Sequence, residues 1–180
     1  MNNQKYWIWL SRIENLSPIK KLELVKKFKN LETLYNLDKQ EVIQNGFSEK
    51  DADKITNIIY KKDLEKYEDY MRKNGIKIID YFNPKYPKNL RQIYDPPITL
   101  FVKGNENILN EYGLAIVGCR NCSEYGEYVA KKIAYGLGIN NINVISGLAR
   151  GIDSFSHIGS LQAKGKTIAV VRMWFRYSIS

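Results

Sequence analysis

Residues 114–121 read Leu-Ala-Ile-Val-Gly-Cys-Arg-Asn, and residues 142–151 read Ile-Asn-Val-Ile-Ser-Gly-Leu-Ala-Arg-Gly. Each stretch is a short apolar run followed by a loop with glycine and arginine, and each loop precedes a segment of helical period. A third apolar run covers residues 167–171. The order strand, helix, strand, helix, strand predicts a parallel, Rossmann-like α/β sheet, whose ligands bind outside the carboxyl ends of the strands. The apolar run at 114–117 further predicts a strand that is buried on both faces.

The two loops have the composition of a phosphate site. Gly118, Gly147 and Gly151 would let a ligand approach the backbone, and Arg120 and Arg150 add charged forks. The helix N-termini that follow offer unpaired N–H groups and the positive end of a dipole. The alternative is that the glycines only make tight turns and the arginines are solvated. Neither loop matches the dinucleotide pattern G-x-G-x-x-G or the triphosphate pattern G-x-x-x-x-G-K-S/T, so the sequence does not predict an ordinary nucleotide site.

Cys119 and Cys122 form a C-x-x-C pair between a predicted strand and a predicted helix, where thioredoxin-like redox proteins carry theirs. A helix N-terminus favours the reactive thiolate form of such a cysteine. No second cysteine pair completes a zinc site, and two cysteines are too few for a disulfide scaffold. A thiol redox role therefore stays as a rival hypothesis.

His157 is the single histidine of the chain and lies four residues after Asp153 on the same face of a predicted helix. No serine or cysteine nucleophile is evidently paired with it, so a hydrogen-bonded structural histidine is favoured over a catalyst. Asp153 is expected to hold the preceding loop or to cap its helix. It is also the nearest candidate for a carboxylate base, should the loops serve nucleotide hydrolysis.

The front of the chain has helical period from residue 6 to residue 73, which predicts a small all-helical domain. Ser17-Pro18 marks a helix start, and Asn45-Gly46 ends another short helix. Ser48 begins a further predicted helix, which can run to a stop at Asn74-Gly75.

The period changes after Gly75. Residues 76–79 and 98–102 have the pattern of strands, and the segment between them is rich in turn-forming residues. We therefore predict a helical domain over residues 1–75 and a Rossmann-like domain over residues 76–180.

The charge of the chain favours an anionic partner. Its 28 Lys and Arg residues outnumber 19 Asp and Glu residues, for a formal net charge of +9. An AT-rich genome would give the same lysine-rich composition, so charge alone does not choose nucleic acid. Tyr6, Trp7 and Trp9 could stack on bases, but packing inside the helical bundle is the expected role. No apolar run is long enough to cross a bilayer and no signal peptide is evident, which predicts a cytoplasmic protein without membrane contact.

The combination of these motifs resembles the DNA-processing protein A (DprA/Smf) family. The resemblance rests on the two loops and on further segments in the same order, which are Tyr86-Pro87, Pro96-Pro97, Tyr125-Gly126, His157 and Thr167-Ile168-Ala169-Val170. It covers residues 76–171, and the helical front resembles the family's sterile-alpha-motif-like or helix-hairpin-helix region.

The resemblance implies a non-catalytic, cofactor-free protein that binds single-stranded DNA, forms homodimers and helps load the recombinase onto incoming strands in natural transformation. By motif, the DNA phosphate pocket would be lined by Gly118, Arg120, Ser146, Gly147, Arg150 and Gly151. The family usually has serine at the position of Cys119, and cysteine is a weaker hydrogen-bonding group. The alternative function is nucleotide binding or nucleotide hydrolysis on the same Rossmann-like framework.

The last nine residues, 172–180, depart from the family pattern. Since Met and Trp each have a single codon, a frame shifted by one base through Met173-Trp174-Phe175 encodes Cys-Gly, and the shifted frame can continue toward the Gly-Leu-Asp and Tyr-Pro elements of the family. This pattern predicts a frameshift near Val171 and a truncated Rossmann-like domain with an uncovered apolar edge. Poor folding, weak DNA binding and impaired dimerisation of the 180-residue form are the expected consequences.

Overall fold

The computed structural model describes residues 4–171. The chain divides into two compact units, with the division between Glu106 and Asn107. The change from helices to strands does fall at Gly75, but the first two strands lie in the first unit. The tail at residues 172–180, where the frameshift is predicted, lies outside the described residues.

Seven helices build most of the first unit. They are α1 (Gln4–Arg12), α2 (Pro18–Lys27), α3 (Leu31–Asn36), α4 (Lys39–Gln44), α5 (Glu49–Thr56), α6 (Ile58–Lys61) and α7 (Leu64–Lys73). Ser17 caps α2, with Pro18 at its first position, and Ser48 caps α5, as the sequence predicts. The helix α4 ends before Gly46, which adopts a left-handed φ of +89°.

One long helix from Ser48 to residues 74–75 is not formed, and that expectation is wrong. The segment is divided into α5, α6 and α7. Asn57 ends α5, and its side chain accepts a hydrogen bond from the Ile59 amide to begin α6. Asp63 has a left-handed φ of +59° directly before α7. Asparagine and aspartate favour such local side-chain bonds and left-handed backbone, so they interrupt an otherwise helical apolar period.

Large apolar side chains fill the core of this unit. Trp9 and Leu10 of α1 and Leu24 and Leu34 of the following helices are 0% exposed. The ring of Trp9 meets that of Tyr35 edge to face, with 5.1 Å between centroids. The expectation that the N-terminal aromatics pack in the bundle is therefore confirmed for Trp9.

The first unit also contains an antiparallel pair of strands, β1 (Ile76–Asp80) and β2 (Thr99–Lys103). The short helix α8 (Lys88–Arg91) lies between them in sequence. Glu106 accepts from Lys77 at 2.5 Å and from Lys85 at 2.8 Å. These two ammonium groups lower the pKa of Glu106 to about 2.

The second unit has the predicted parallel arrangement. After the 3₁₀ helix Glu106–Asn110, it comprises β3 (Gly113–Ala115), α9 (Glu124–Ile139), β4 (Asn143–Ser146), α10 (Ile152–Gln162) and β5 (Thr167–Ala169). The sheet order is β3-β4-β5, with both pairs parallel. The Rossmann-like α/β sheet, preceded by a helical region, is confirmed.

The first strand of this sheet is not buried on both faces, contrary to expectation. All three residues of β3 are exposed, with Leu114 at 47%, and Val117, two residues after the strand, is 76% exposed. The reason is position, because β3 lies at an edge of the sheet and pairs with β4 alone among the described residues. At the opposite edge Val170, directly after β5, is 62% exposed, so apolar side chains are exposed at both edges.

The helices α9 and α10 pack closely through small residues. A Cβ on Gly159 would lie 2.9 Å from the Lys131 Cα and would collide with the Lys131 carbonyl oxygen. Ala130, Ala134 and Gly138 are the buried residues of α9. Close backbone approach holds the two helices, and therefore the loops that precede them, in a fixed arrangement.

No helix within residues 4–171 combines the length and the apolar composition needed to cross a bilayer.

Candidate functional site

Two loops meet at the carboxyl edge of the parallel sheet. The first loop (residues 118–123) follows β3 and leads into α9, and the second loop (residues 147–151) follows β4 and leads into α10. Because adjacent parallel strands end at the same edge, the loops are neighbours. The Ile152 amide donates to the Cys119 carbonyl at 3.2 Å, which ties the second loop to the first.

Two of the predicted site glycines permit this junction. Gly151 has a φ of +82°, and a Cβ there would collide with the Cys119 carbonyl and lie 2.6 Å from the Arg120 carbonyl oxygen. A Cβ on Gly118 would lie 2.6 Å from Cγ1 of Ile152. Both glycines are therefore needed for loop-to-loop packing, whatever ligand the loops accept.

Ser146 and Gly147 lie where β4 ends. The Ser146 hydroxyl donates to the Ile116 carbonyl at 2.6 Å and the residue is 3% exposed, so its proton is engaged between strands. Gly147 is exposed, and a Cβ there would approach the Asp153 carboxylate to 2.8 Å. Among the predicted site residues, Ser146 is the one that contacts the sheet instead of the surface.

The arginine side chains are the open charges of the site. Arg120 and Arg150 are both exposed. Neither forms an ion pair or a side-chain hydrogen bond with any residue between positions 4 and 171. Two guanidinium groups on joined loops, unpaired with any carboxylate of the described residues, leave positive charge available to an external anion.

The second loop is held from behind by α10. One Asp153 oxygen accepts from the Ala149 amide at 3.4 Å, and the Ser154 hydroxyl donates to the Ala149 carbonyl at 2.6 Å. The expectation that Asp153 holds the preceding loop is confirmed. Leu148, the loop residue before Ala149, is 56% exposed and has a left-handed φ of +58°. That backbone conformation is strained for a bulky side chain.

His157 has a structural environment. Its Nδ1 lies 2.5 Å from the Thr167 hydroxyl oxygen, and that hydroxyl in turn donates to the Val144 carbonyl at 2.9 Å. The Nδ1–H tautomer fits this chain of bonds, since the hydroxyl proton is already committed. Burial lowers the pKa of His157, and the nearby Asp153 carboxylate opposes that shift only in part. A neutral histidine joining α10 to β5 matches the structural role favoured from the sequence.

The cysteines are free thiols, with Cys119 exposed and Cys122 half-buried. No group of three or more His, Cys, Asp or Glu side chains in residues 4–171 could hold a metal ion. A redox role for the pair stays a hypothesis.

Ile152 is the site residue that sequence reasoning missed. Its amide and its side chain join the two loops. The available signal was an apolar residue directly after a glycine at a helix start, which indicates close packing without naming the partner.

The fold and the loops define a Rossmann-like α/β protein with two joined loops at the carboxyl edge of its sheet. Residues 77–176 match the family described as DNA recombination-mediator protein A. The match covers more than half of the chain, and the chain belongs to that family.

Individual relatives agree with this assignment. The DNA processing protein DprA of Streptococcus pneumoniae is 46% identical over 86 residues, which is 48% of this chain and 30% of that protein. DprA of Bacillus subtilis is 39% identical over 107 residues, or 59% of this chain and 36% of that protein. The chain therefore spans about a third of the length of these two relatives in the matched regions.

A solved structure extends the likeness to the helical region. The X-ray structure of DNA processing protein A from Streptococcus pneumoniae matches 96% of this chain and 60% of that chain, with a TM-score of 0.63 and 27% identity.

Proposed function

We propose that the chain binds single-stranded DNA by its backbone phosphates at the two joined loops. The observation that carries the proposal is the pair of unneutralised guanidinium groups, Arg120 and Arg150, on loops that Ile152 and Gly151 hold together. Arginine forks suit phosphate oxygens, and the exposed backbone around Gly118 and Gly147 leaves room for close approach. Ser146 supports the loops from behind, because its buried hydroxyl donates to the Ile116 carbonyl.

The mechanism is electrostatic, with neither catalysis nor a cofactor. One oxygen of Asp153 accepts from the Ala149 amide, and His157 is 6% exposed with its Nδ1 bonded to Thr167, so both side chains have contacts within the fold that fit a structural role. Phosphate contacts of this kind carry little sequence information, which suits a protein that handles any strand.

The biological role that follows is DNA processing in natural transformation. Relatives of the chain bear the name DNA processing protein, and the family is described as a recombination mediator. We propose that the whole protein acts as a homodimer in the cytoplasm and helps load the recombinase onto incoming single strands.

The test is binding of a fluorescein-labelled oligothymidylate across a salt series. The double variant Arg120→Ala with Arg150→Ala is compared with the parent chain. Loss of two phosphate contacts is expected to reduce the slope of log K against log salt by about 1.4, since each contact to a single strand contributes about 0.7. Lys29→Ala with Lys50→Ala is the matched control, because both lysines are exposed and the charge change is the same.

The control variant is expected to keep the parent's slope. An equal reduction of the slope in both variants would show that the chain binds DNA through its overall positive charge and not at the two loops. Binding of a free nucleotide that Arg120→Ala with Arg150→Ala abolishes, with no binding of the oligothymidylate to the parent, would replace it by the nucleotide-binding alternative.

A further inference from the structure

The outer face of α9 carries an exposed line of aromatic and apolar side chains. Tyr125 is 76% exposed, Tyr128 59%, Tyr135 46% and Ile139 59%, and the exposed Lys132 lies between them. Their spacing alternates between three and four residues, so they share one face of the helix. Four aromatic or apolar side chains and one lysine therefore form a single exposed line on a helix of 16 residues.

The orientation of this face is fixed by the opposite side of the helix. Ala130, Ala134 and Gly138 are buried there, where α9 packs on α10. The two helices approach at backbone distance near Gly159, so α9 has little freedom to rotate the tyrosines inward. The packing of α9 on α10 therefore keeps this line of side chains on the outside of the second unit.

The position of the line relates it to the phosphate loops. The helix begins at Glu124, directly after the first loop, and Tyr125 lies in its first turn. From Tyr125 to Tyr135 the helix rises about 15 Å. That length corresponds to about four stacked nucleotides at 3.4 Å each.

The chemistry of the line fits a nucleic-acid strand better than a second copy of the chain. The Lys132 ammonium lies 5.6 Å from the centroid of the Tyr128 ring. Lys132 is also the midpoint between Tyr125 and Ile139, so pairing of α9 with its own copy, in either direction, would bring two lysines together. Like charges oppose that pairing, whereas an anionic strand is attracted to them. Tyrosine rings beside a cation offer stacking faces to bases and a partner to phosphate.

We propose that single-stranded DNA leaves the two loops along this face of α9, with bases stacked on Tyr125, Tyr128 and Tyr135 and a phosphate on Lys132. The proposal rests on the proposed function and assigns the bases a site separate from that of the phosphates. Binding of phosphates at the loops does not depend on the bases, whereas binding along α9 does.

The test uses the 180-residue chain with two fluorescein-labelled strands, an octathymidylate and an abasic strand of the same length. The variant Tyr125→Ala with Tyr128→Ala is expected to bind the octathymidylate at least about thirtyfold more weakly, because it removes two aromatic rings and stacking contributes at least about 1 kcal/mol for each. Its affinity for the abasic strand should stay at the parent's value. Tyr125→Phe with Tyr128→Phe keeps the rings and should restore the preference for bases.

The matched control is Tyr112→Ala. Tyr112 is 91% exposed in the same unit but precedes β3 and lies outside the line. It should leave both affinities unchanged.

The outcomes separate this inference from the proposed function. If the parent binds the octathymidylate through Arg120 and Arg150, but the paired alanine variant matches the parent on both strands, the stacking surface is overturned alone. If neither protein binds either strand, and the chain with its reading frame restored beyond Val171 does not bind them either, the proposed function fails with it. If the parent sediments as a larger species than the paired alanine variant, and both bind DNA equally, the face is a self-association surface instead.

Discussion

The two units of the chain are stabilised by different kinds of packing. In the first unit, large apolar side chains such as Trp9, Leu24 and Leu34 are fully buried. In the described part of the second unit, the buried apolar residues are Ala130, Ala134 and Val144. Its other buried side chains are small or polar, and they are Asn143, Ser146, Asp153, Ser156, His157 and Ser160.

The difference shows what each unit is built to do. Burial of large apolar side chains contributes stability in proportion to area and tolerates some change of shape. Small residues contribute less area but allow helices, strands and loops to approach at backbone distance. The first unit is thus organised for stability, and the second is organised to hold two loops in register.

The largest effect is expected from removing a ring in the first unit. Trp9→Ala should lower the free energy of unfolding of that unit by about 3–5 kcal/mol, because a fully buried indole is lost and a cavity remains. Hydrogen exchange resolved by unit is the measurement. A loss of protection confined to the second unit would contradict the comparison.

In the second unit, a methyl group added where α9 and α10 meet should lower the free energy of unfolding. Gly159→Ala is expected to cost about 1–3 kcal/mol, because the new Cβ would collide with the Lys131 backbone of α9. Thermal unfolding and exchange of the α9 and α10 amides would measure it.

Gly136→Ala is the matched control on α9, since a Cβ there meets nothing within 4 Å. It should stabilise the helix by about 0.5–1 kcal/mol. If both alanines had the same effect, close helix packing would not be what limits the second unit.

The smallest effect expected is a difference in response to acid. The pKa of His157 is lowered from 6.5 by burial, so as the pH falls below 6.5 the unfolded chain takes up a proton that the folded second unit resists. The free energy of unfolding of that unit therefore falls in this range. The pKa of Glu106 is lowered from 4.5 to about 2 by Lys77 and Lys85, so its stabilisation of the first unit is complete above 4.5 and is lost as the pH falls through 2.

Between these two ranges only the second unit should weaken through these groups. Hydrogen exchange at about pH 7 and about pH 5, corrected for intrinsic rates, would show it. His157→Gln should flatten the dependence in the second unit. Equal weakening of both units would assign the acid response to other groups.

Much of the fold could be predicted from residue patterns. The order of elements from residue 114 to residue 169 and the caps at Ser17 and Ser48 follow from apolar period and from local side-chain bonds. The breaks of the long predicted helix at Asn57 and Asp63 could not be predicted from the apolar period, because asparagine and aspartate are also tolerated inside helices. The exposure of Leu114 and Val117 depends on which strand lies at the sheet edge, and an apolar run has the same sequence in either place.

The sequence by itself determined the parallel α/β order and the two glycine and arginine loops, and it limited the favoured roles of Asp153 to loop support or helix capping. These features depend on local chemistry, since strand period, turn residues and helix starts are short-range properties of a chain. Only the tertiary structure decided that Ile152 joins the loops, that Ser146 donates to the neighbouring strand and that Tyr125, Tyr128 and Tyr135 face outward. Those features depend on the packing of α9 on α10 and on strand register, which bring together residues that are distant in sequence.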